Sequence, residues 1–238
     1  MKLKLNILAA ACGLALAATL GATVARAAGN EVVIGDIDDL SGVYSDVIGE
    51  GGIKAAQMAI ADFGGTVLGK KIVFMSADHQ NQPDIGASKF REWADQNGVN
   101  MILGGSNTGV SIAMAKVAQA KKVPFIAIGA AGASLTNQDC TPYTVHYAYD
   151  TTALANGTAS TIVKSGGKNW YFLTADYAFG TQLREAAAKV VEANGGKSLG
   201  EVRVPLSPRT SRPSCCRRKA RAHRCWACPT RAATSPTR

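Results

Sequence analysis

The strongest constraint on the fold is an alternation of short apolar runs and amphipathic segments between residues 28 and 206. The apolar runs, such as "KKIVFMSAD" and "WYFLTAD", have the length of strands, and the segments between them carry apolar residues at helical spacing. Short apolar strands that alternate with helices indicate buried parallel strands joined by right-handed crossovers. We therefore predict an α/β protein built of three-layer αβα units with parallel sheets.

The net charge of +9 resides entirely in residues 207–238, which contain eight arginines, Lys219 and no acidic residue. Residues 1–206 hold 17 basic and 17 acidic groups and are neutral overall. A large positive net charge favours non-specific binding to nucleic acid or to membranes. The neutral body therefore gives no reason to expect a nucleic-acid partner.

Residues 1–27 have the three parts of a secretory signal peptide. Lys2 and Lys4 form a basic head, an apolar run follows over residues 5–24, and "ARA" at residues 25–27 is a small-residue cleavage site. A membrane anchor is the alternative, because the run is long enough to span a bilayer. Its Ala- and Gly-rich composition and the cleavage pattern favour export, so we expect a mature protein that begins at residue 28 or 29 in the periplasm.

The sequence contains no G-x-S-x-G, H-E-x-x-H or Walker lysine motif. His79 and His146 are isolated, and a lone histidine is expected in a core or on a surface rather than at a metal. The three aspartates Asp36, Asp38 and Asp39 are expected just past the first strand, where loop and capping roles are favoured over a metal site. We predict a protein that is not an enzyme, with no catalytic residue, no metal and no cofactor.

The loops that follow the strands are the expected ligand site, because ligands of open α/β sheets bind at the carboxyl ends of strands. These loops include "GGSNTGVS" and "GAAGASLTNQD", and they are rich in Gly, Ser, Thr and Asn. Tyr44, Tyr177 and Phe179 lie in similar loops and are suited to cover a small ligand. Hydroxyls and free backbone N–H groups at helix starts attract an anion such as a carboxylate. The pattern predicts a small-molecule site.

Several stretches, in order, resemble the periplasmic substrate-binding proteins of branched-chain amino acid (Leu/Ile/Val-type) ABC transporters. They are "IGDIDDLSGVYSDVIGEGGIKAAQMAIADFGG", "ILGGSNTGVSIAMAKVA", "LTNQDCTPYTVHYAYDTTALANGTA" and "TADYAFG". The resemblance covers residues 31–206. It implies two lobes, at residues 28–147 and 148–206, that close on one ligand and deliver it to a membrane permease. The ligand stays open among branched-chain amino acids, amides, urea and aromatic acids.

The resemblance also implies particular ligand-binding residues. Thr108 matches a hydroxyl residue that holds the ligand carboxylate, and Gly129 and Ala131 match neighbouring contacts. Some relatives have a hydroxyl where Ala131 stands, so only a backbone contact is expected there. Phe179 matches an aromatic residue of the second lobe. The complete expected set is Tyr44, Ser106, Thr108, Gly129, Ala131, Tyr177 and Phe179.

Residues 207–238 break the alternation. They are basic, rich in Pro, Ser and Thr and poor in aliphatic residues, which predicts disorder. Cys225 and Cys228 form one C-x-x-C, but the irregular spacing of Cys215, Cys216 and His223 argues against a zinc site. A basic-tailed interaction or nucleic-acid-binding protein is the alternative function.

A shift of the reading frame by one base explains residues 207–238 more simply than a zinc site or a nucleic-acid-binding segment does. Read one base earlier, codons for "SCCR" give Leu-Leu-Gln, and codons for "AHRCWAC" give Ala-Gln-Val-Leu-Gly-Leu. With suitable third bases, the shifted frame yields an amphipathic helix, an apolar strand and a Gly-rich loop, which is the next expected βα step. We therefore expect a frameshift near Ser207, biological or from sequencing. The printed chain would then be truncated within its second lobe and would not function as a receptor.

Overall fold

The computed structural model describes residues 29–206, so the predicted signal peptide and the basic tail lie outside the described residues. The strands are β1 (Glu31–Asp38), β2 (Thr66–Val67), β3 (Lys70–Asp78), β4 (Met101–Gly104), β5 (Phe125–Ala127), β6 (Thr144–His146), β7 (Asn169–Ala175) and β8 (Lys197–Val204). The α-helices are α1 (Gly49–Asp62), α2 (Pro83–Asp95), α3 (Thr108–Lys121), α4 (Thr151–Lys164) and α5 (Ala178–Ala193). A 3₁₀ helix covers Ala133–Thr136.

The first sheet has six strands in the order β2-β3-β1-β4-β5-β6. All neighbours pair in parallel except β2, which is antiparallel to β3. The register places Asp38 opposite Asp78 and Ile37 opposite Gly104. The carboxyl ends of β1, β3 and β4 therefore meet at one edge, and their loops emerge side by side. We call this sheet and its helices the first lobe.

The core of the first lobe lies between the sheet and helices α2 and α3. Phe90 of α2 and Met114 of α3 are fully buried in one cluster with Ile37, Ile102 and other apolar residues of the sheet. Gly35 allows this close packing, because a Cβ at that position would lie 2.6 Å from side-chain atoms of Trp93 and Ile102. Side chains alternate across a strand, so Ile34 faces the opposite side. There it borders a groove with residues of α1, which completes three layers.

The second sheet pairs β7 with β8 in parallel. Helices α4 and α5 cover one face, where Val163 and Val191 are buried near Trp170. The alternate side chains on β7, Tyr171 and Leu173, are 44% and 49% exposed. The described part of this second lobe thus has two layers and one open face, consistent with the incomplete second lobe that the sequence predicts.

The sequence predicts all five α-helices and six of the eight strands found between residues 29 and 206. It misses β2 and β6, which are too short to carry a periodic signal. The apolar run "VPFIAIGA" at residues 123–130, which predicts a strand of its own, is longer than β5. The observed strand is shorter because Pro124 has no N–H to donate and the chain leaves the sheet after Ala127. None of the helices in this described range has the length and apolar content needed to cross a bilayer.

Candidate functional site

The candidate site lies where loops of the first lobe meet the start of α5 in the second lobe. The hydroxyls of Tyr44 and Tyr177 are hydrogen-bonded to each other across this junction. A second pair of bonds joins the lobes nearby: Ser134 N–H donates to Gln182 Oε1 at 3.1 Å, and Gln182 Nε2 donates to Ser134 Oγ at 3.0 Å. The predicted residues Tyr44 and Tyr177 are therefore brought together.

Asp39 holds the loop that carries Tyr44. Its buried carboxylate accepts the N–H of Gly42 at 2.8 Å and the N–H of Tyr44 at 2.9 Å. A carboxylate that accepts backbone N–H groups in this way fixes a turn. The loop-capping role expected for Asp39 is confirmed.

Asp78 supports the same loop from β3. Its carboxylate accepts the N–H of Leu40 at 3.0 Å and the hydroxyl of Ser41 at 2.5 Å. Burial raises the pKa of Asp78, but the hydrogen bonds from Ser41, Gln80 and Leu40 outweigh burial and bring the pKa below its usual value. Asp78 therefore stays ionised and keeps the loop in place at neutral pH.

Ser106 lies in the loop between β4 and α3, above Asp38 and His79. Its N–H donates to Asp38 Oδ1 at 3.0 Å, and its Oγ is 3.4 Å from His79 Nε2. The N–H of Asp39 also donates to Asp38 Oδ1, at 3.0 Å, whereas Asp38 Oδ2 has no hydrogen-bond partner within residues 29–206. Burial raises the pKa of Asp38, although Ser106, Asp39 and His79 oppose this increase.

Thr108 is the first residue of α3, after the capping residue Asn107. Asn107 Oδ1 accepts the N–H groups of Gly109 and Val110 at 2.7 and 3.2 Å, which defines the helix start. Thr108 is only 1% exposed, and its Oγ1 accepts the N–H of Gly132 at 3.1 Å. That bond uses a lone pair of the Thr108 oxygen and not its hydroxyl proton.

Gly129 and Ala131 follow β5 and pack against the same loops. A Cβ at Gly129 would lie 3.0 Å from Ser106 Cα, so a larger residue would press on the Ser106 loop. The carbonyl of Ala131 accepts the N–H of Thr151, the first residue of α4, at 2.8 Å. Ala131 therefore also links the first lobe to the second, a contact that the sequence does not indicate.

Aromatic residues gather at the junction. The rings of Tyr177 and Phe179 have centroids 5.9 Å apart. Burial raises the pKa of Tyr177, and the bond to Tyr44 and the proximity of Tyr44 and Tyr149 raise it further. Burial also raises the pKa of Tyr44, with smaller effects from Tyr177, Asp39 and Tyr149. Both hydroxyls therefore stay protonated at neutral pH, and one of them donates its proton to the other.

Sequence reasoning misses Tyr149, Thr151 and Gln182. Tyr149 immediately precedes Asp150, whose Oδ1 accepts the N–H of Ala153 and caps α4. An aromatic residue just before a helix cap at the lobe boundary is a signal that could have identified it. Gln182 gives no such signal, because a polar residue in the first turns of a helix is usually exposed.

The expected aspartate roles hold only in part. Asp38 and Asp39 act as hydrogen-bond acceptors for loops, as expected, but Asp36 lies within β1 and is 4% exposed. Its pKa is raised to about 7 by burial and by Asp38. Residues 29–206 contain no group of three or more His, Cys, Asp or Glu side chains that could hold a metal ion.

A prominent cavity in the described part of the chain does not coincide with the predicted site. It has a volume of about 460 Å³ and lies between the 3₁₀ helix, α4 and α5. Ser134, Thr151 and Gln182 border it, but Tyr44, Thr108 and Tyr177 do not. Of the predicted residues, Tyr44, Tyr177 and Ala131 instead take part in direct contacts between the two lobes.

Comparison with known proteins places these features in a family. A family model described as "Periplasmic binding protein" matches residues 31–226, which extends beyond Leu206, where the resemblance seen in the sequence ends. No curated protein matched the chain.

Solved structures are also similar. A periplasmic binding protein from Burkholderia mallei is 58% identical, with a TM-score of 0.73, over 75% of this chain and 48% of that one. A branched-chain amino acid ABC transporter periplasmic ligand-binding protein from Burkholderia xenovorans is 32% identical, with a TM-score of 0.64, over 74% and 47%. An ABC transporter solute-binding protein from Rhodopseudomonas palustris, in complex with 3,4-dihydroxybenzoic acid, is 28% identical, with a TM-score of 0.69, over 76% and 49%. This chain thus spans about half the length of these structures.

Proposed function

Because this chain belongs to the periplasmic binding protein family, we propose that it is the extracytoplasmic receptor of an ABC transporter and binds a small organic carboxylate between its two lobes. The observation that carries the proposal is the junction at Tyr44 and Tyr177, where loops at the carboxyl ends of both sheets meet. A hinged receptor needs binding groups on both lobes, so that ligand contacts favour the closed form.

The chemistry of the junction suits a carboxylate attached to an apolar or aromatic body. Ser106 and Thr108 offer hydroxyls at or near a helix start, where a negative charge is stabilised. Tyr177 and Phe179 offer ring surfaces for the remainder of the ligand. The similar proteins from B. xenovorans and R. palustris are described with branched-chain amino acids and with 3,4-dihydroxybenzoic acid. We propose a branched-chain amino acid or a related small carboxylate or amide as the ligand.

The remaining parts of the receptor proposal concern export and delivery. The first 27 residues serve as the signal peptide, and residues 28–147 and 148–206 serve as the two lobes. The partners are a small ligand and the membrane permease of the transporter. Support comes from the basic head and cleavage pattern of residues 1–27 and from the presence of separate sheets on either side of Tyr147.

We also propose that residues 207–238 are read out of frame. The support is their composition, which lacks the aliphatic residues of the preceding strands, and the apolar pattern obtained one base earlier. The family match itself continues to residue 226, so the proposal does not rest on where that match ends. The nucleotide sequence of the gene tests it: a continuous frame that resumes one base earlier after codon 206 supports it, and an uninterrupted printed frame with no such alternative contradicts it.

Calorimetric titration tests the receptor function. Leucine, isoleucine, valine, benzoate, 4-hydroxybenzoate and 3,4-dihydroxybenzoate are titrated into the mature chain and into a frame-corrected chain. We expect saturable binding of at least one carboxylate by the frame-corrected chain. If both chains are folded and neither binds any of these ligands, the proposed ligand class is wrong.

A further inference from the structure

The 3₁₀ helix of the first lobe begins without a capping side chain of its own. The residue before it is Gly132, which has no side chain to act as a cap, and a helix start leaves backbone N–H groups without partners inside the helix. Side chains of the second lobe accept these N–H groups instead. Thr151 Oγ1 accepts the N–H of Ala133 at 3.3 Å, and Gln182 Oε1 accepts the next N–H, that of Ser134, at 3.1 Å. The second lobe therefore caps a helix of the first lobe.

The two contacts of Gln182 fix the orientation of its side-chain amide. A backbone N–H can only donate, so the Gln182 atom that faces the N–H of Ser134 is the oxygen. The amide nitrogen then faces Ser134 Oγ at 3.0 Å and donates to it. Ser134 is only 2% exposed, so loss of the acceptor while the lobes stay in contact would leave a buried N–H unpaired, which is unfavourable. Gln182 thus stabilises the arrangement in which the lobes touch.

The position of Gln182 in the chain separates its role from that of Thr151. The 3₁₀ helix is anchored in the first lobe, because its Leu135 is buried in the core of that lobe. Thr151 begins α4 soon after β6 of the first sheet, so the chain itself keeps this residue close to the first lobe. Gln182 lies in α5, beyond α4 and β7. Its contact with Ser134 therefore depends on how the two lobes are arranged.

We propose that Gln182 is a positioning residue that holds the two lobes together and so raises the affinity for the ligand without touching the ligand. In the same arrangement, the hydroxyls of Tyr44 and Tyr177 meet at the junction. The effect on affinity rests on the proposed function, because it concerns the ligand of that site. A ligand that contacts both lobes favours the closed form, so its apparent affinity rises with the fraction of molecules that are closed.

Two substitutions separate the hydrogen bonds of Gln182 from its size. Gln182→Met has a similar length and removes both bonds, whereas Gln182→Glu keeps both, because the Ser134 hydroxyl can turn and donate to a carboxylate oxygen. Lys189→Met, at an exposed position of the same helix, is the control. All three are made in the full chain and in its frame-corrected form.

Stopped-flow kinetics with leucine and with benzoate test the effect on binding. We expect Gln182→Met to lower the affinity about fivefold, as for a net loss of about one hydrogen bond, and to do so mainly through faster dissociation. Gln182→Glu and Lys189→Met should keep the dissociation rate of the unmodified chain. Equal dissociation rates in Gln182→Met and Gln182→Glu would overturn the proposal.

A second measurement needs no ligand. Small-angle X-ray scattering of the folded protein reports the radius of gyration, which increases when the lobes separate. We expect a larger radius of gyration in Gln182→Met than in Gln182→Glu, Lys189→Met and the unmodified chain, and equal values in all four would overturn the proposal. If the unmodified proteins bind neither probe, the proposed function fails, whereas the scattering still decides whether Gln182 holds the lobes together.

Discussion

At the scale of single residues, the sequence indicates which residues form the candidate site, but it does not reveal their hydrogen-bond partners. The family resemblance implies that Thr108 binds a ligand through its hydroxyl, and the structure shows the same hydroxyl oxygen accepting the N–H of Gly132. The sequence pattern groups Asp36 with the loop aspartates, yet this residue lies inside β1. Such differences arise because hydrogen-bond partners distant in sequence leave no periodic signal.

Replacement of Thr108 tests its dual role. Thr108→Val removes the acceptor of the Gly132 N–H and the proposed donor to the ligand, so we expect affinity to fall roughly tenfold or more, as for a lost hydrogen bond of about 1.5–3 kcal/mol. Thr108→Ser keeps the hydroxyl and is the matched control. Calorimetry on both variants measures the effect, and unchanged affinity in Thr108→Val would show that Thr108 does not hold the ligand.

Asp36 gives a pH dependence of stability. Its pKa is raised from 3.8 to about 7, by burial first and by Asp38 second. Between about pH 4 and pH 7 the folded state keeps a proton that the unfolded state releases, so this residue makes stability fall as pH rises through that window. A tenfold difference in acidity between the folded and unfolded states corresponds to about 1.4 kcal/mol, so the total effect is on the order of a few kcal/mol.

The variant Asp36→Asn isolates this effect. The variant is made in the frame-corrected chain and is compared with that chain by urea unfolding followed by circular dichroism. We expect the variant to lose less stability as the pH rises from about 4.5 to about 7.5, a range that spans most of this titration. Asp62→Asn, at an exposed position on α1, is the control. Parallel pH profiles for Asp36→Asn and the unmodified chain would show that Asp36 does not carry the dependence.

At the scale of helices and strands, the sequence predicts the elements that are long and have regularly spaced apolar residues. The α-helices and the longer strands of residues 29–206 follow from apolar spacing and from Gly or Pro at their ends, as with Pro83 at the start of α2. The pairing of β7 with β8 and the open face of that sheet do not follow from the sequence, because strand neighbours are set by tertiary contacts. The open face carries Tyr171, Leu173 and Leu199.

The open face of the second sheet favours aggregation. Exposed apolar sheet surface promotes association, and Leu173 and Leu199 are 49% and 52% exposed. We expect Leu173→Thr with Leu199→Thr to lower the binding of a hydrophobic dye and to reduce aggregation, with little loss of stability. Val191→Thr, on the covered face, should instead destabilise the fold. Unchanged dye binding in the double variant would mean that these leucines are not accessible in the full chain.

At the scale of the whole molecule, the α/β class and the family follow from the sequence, and the arrangement of the site does so only in part. The order of loops places Tyr44, Ser106 and Thr108 at one sheet edge, as expected from the carboxyl-end rule. The contact of Tyr44 with Tyr177 depends on how the two lobes meet, which no local pattern encodes. The cavity beside Gln182 does not follow from the sequence at all.

An out-of-frame tail would cost the chain much of its stability. A domain is stable by only about 5–15 kcal/mol, and each Leu, Ile or Val left exposed forfeits roughly 1.5–3 kcal/mol. We therefore expect the frame-corrected chain to unfold cooperatively and the printed chain, residues 28–238, to lack a cooperative thermal transition and tight ligand binding. A sharp transition together with tight binding in the printed chain would contradict this expectation.

The most direct test of the proposed function is a crystal structure of the frame-corrected chain with the tightest-binding carboxylate of the titration panel. We predict that the ligand lies between Tyr44 and Tyr177, with its carboxylate within hydrogen-bond distance of the Ser106 or Thr108 hydroxyl. A ligand held instead in the cavity of about 460 Å³ beside Gln182 and Thr151, with the tyrosine pair still in contact, would contradict this prediction.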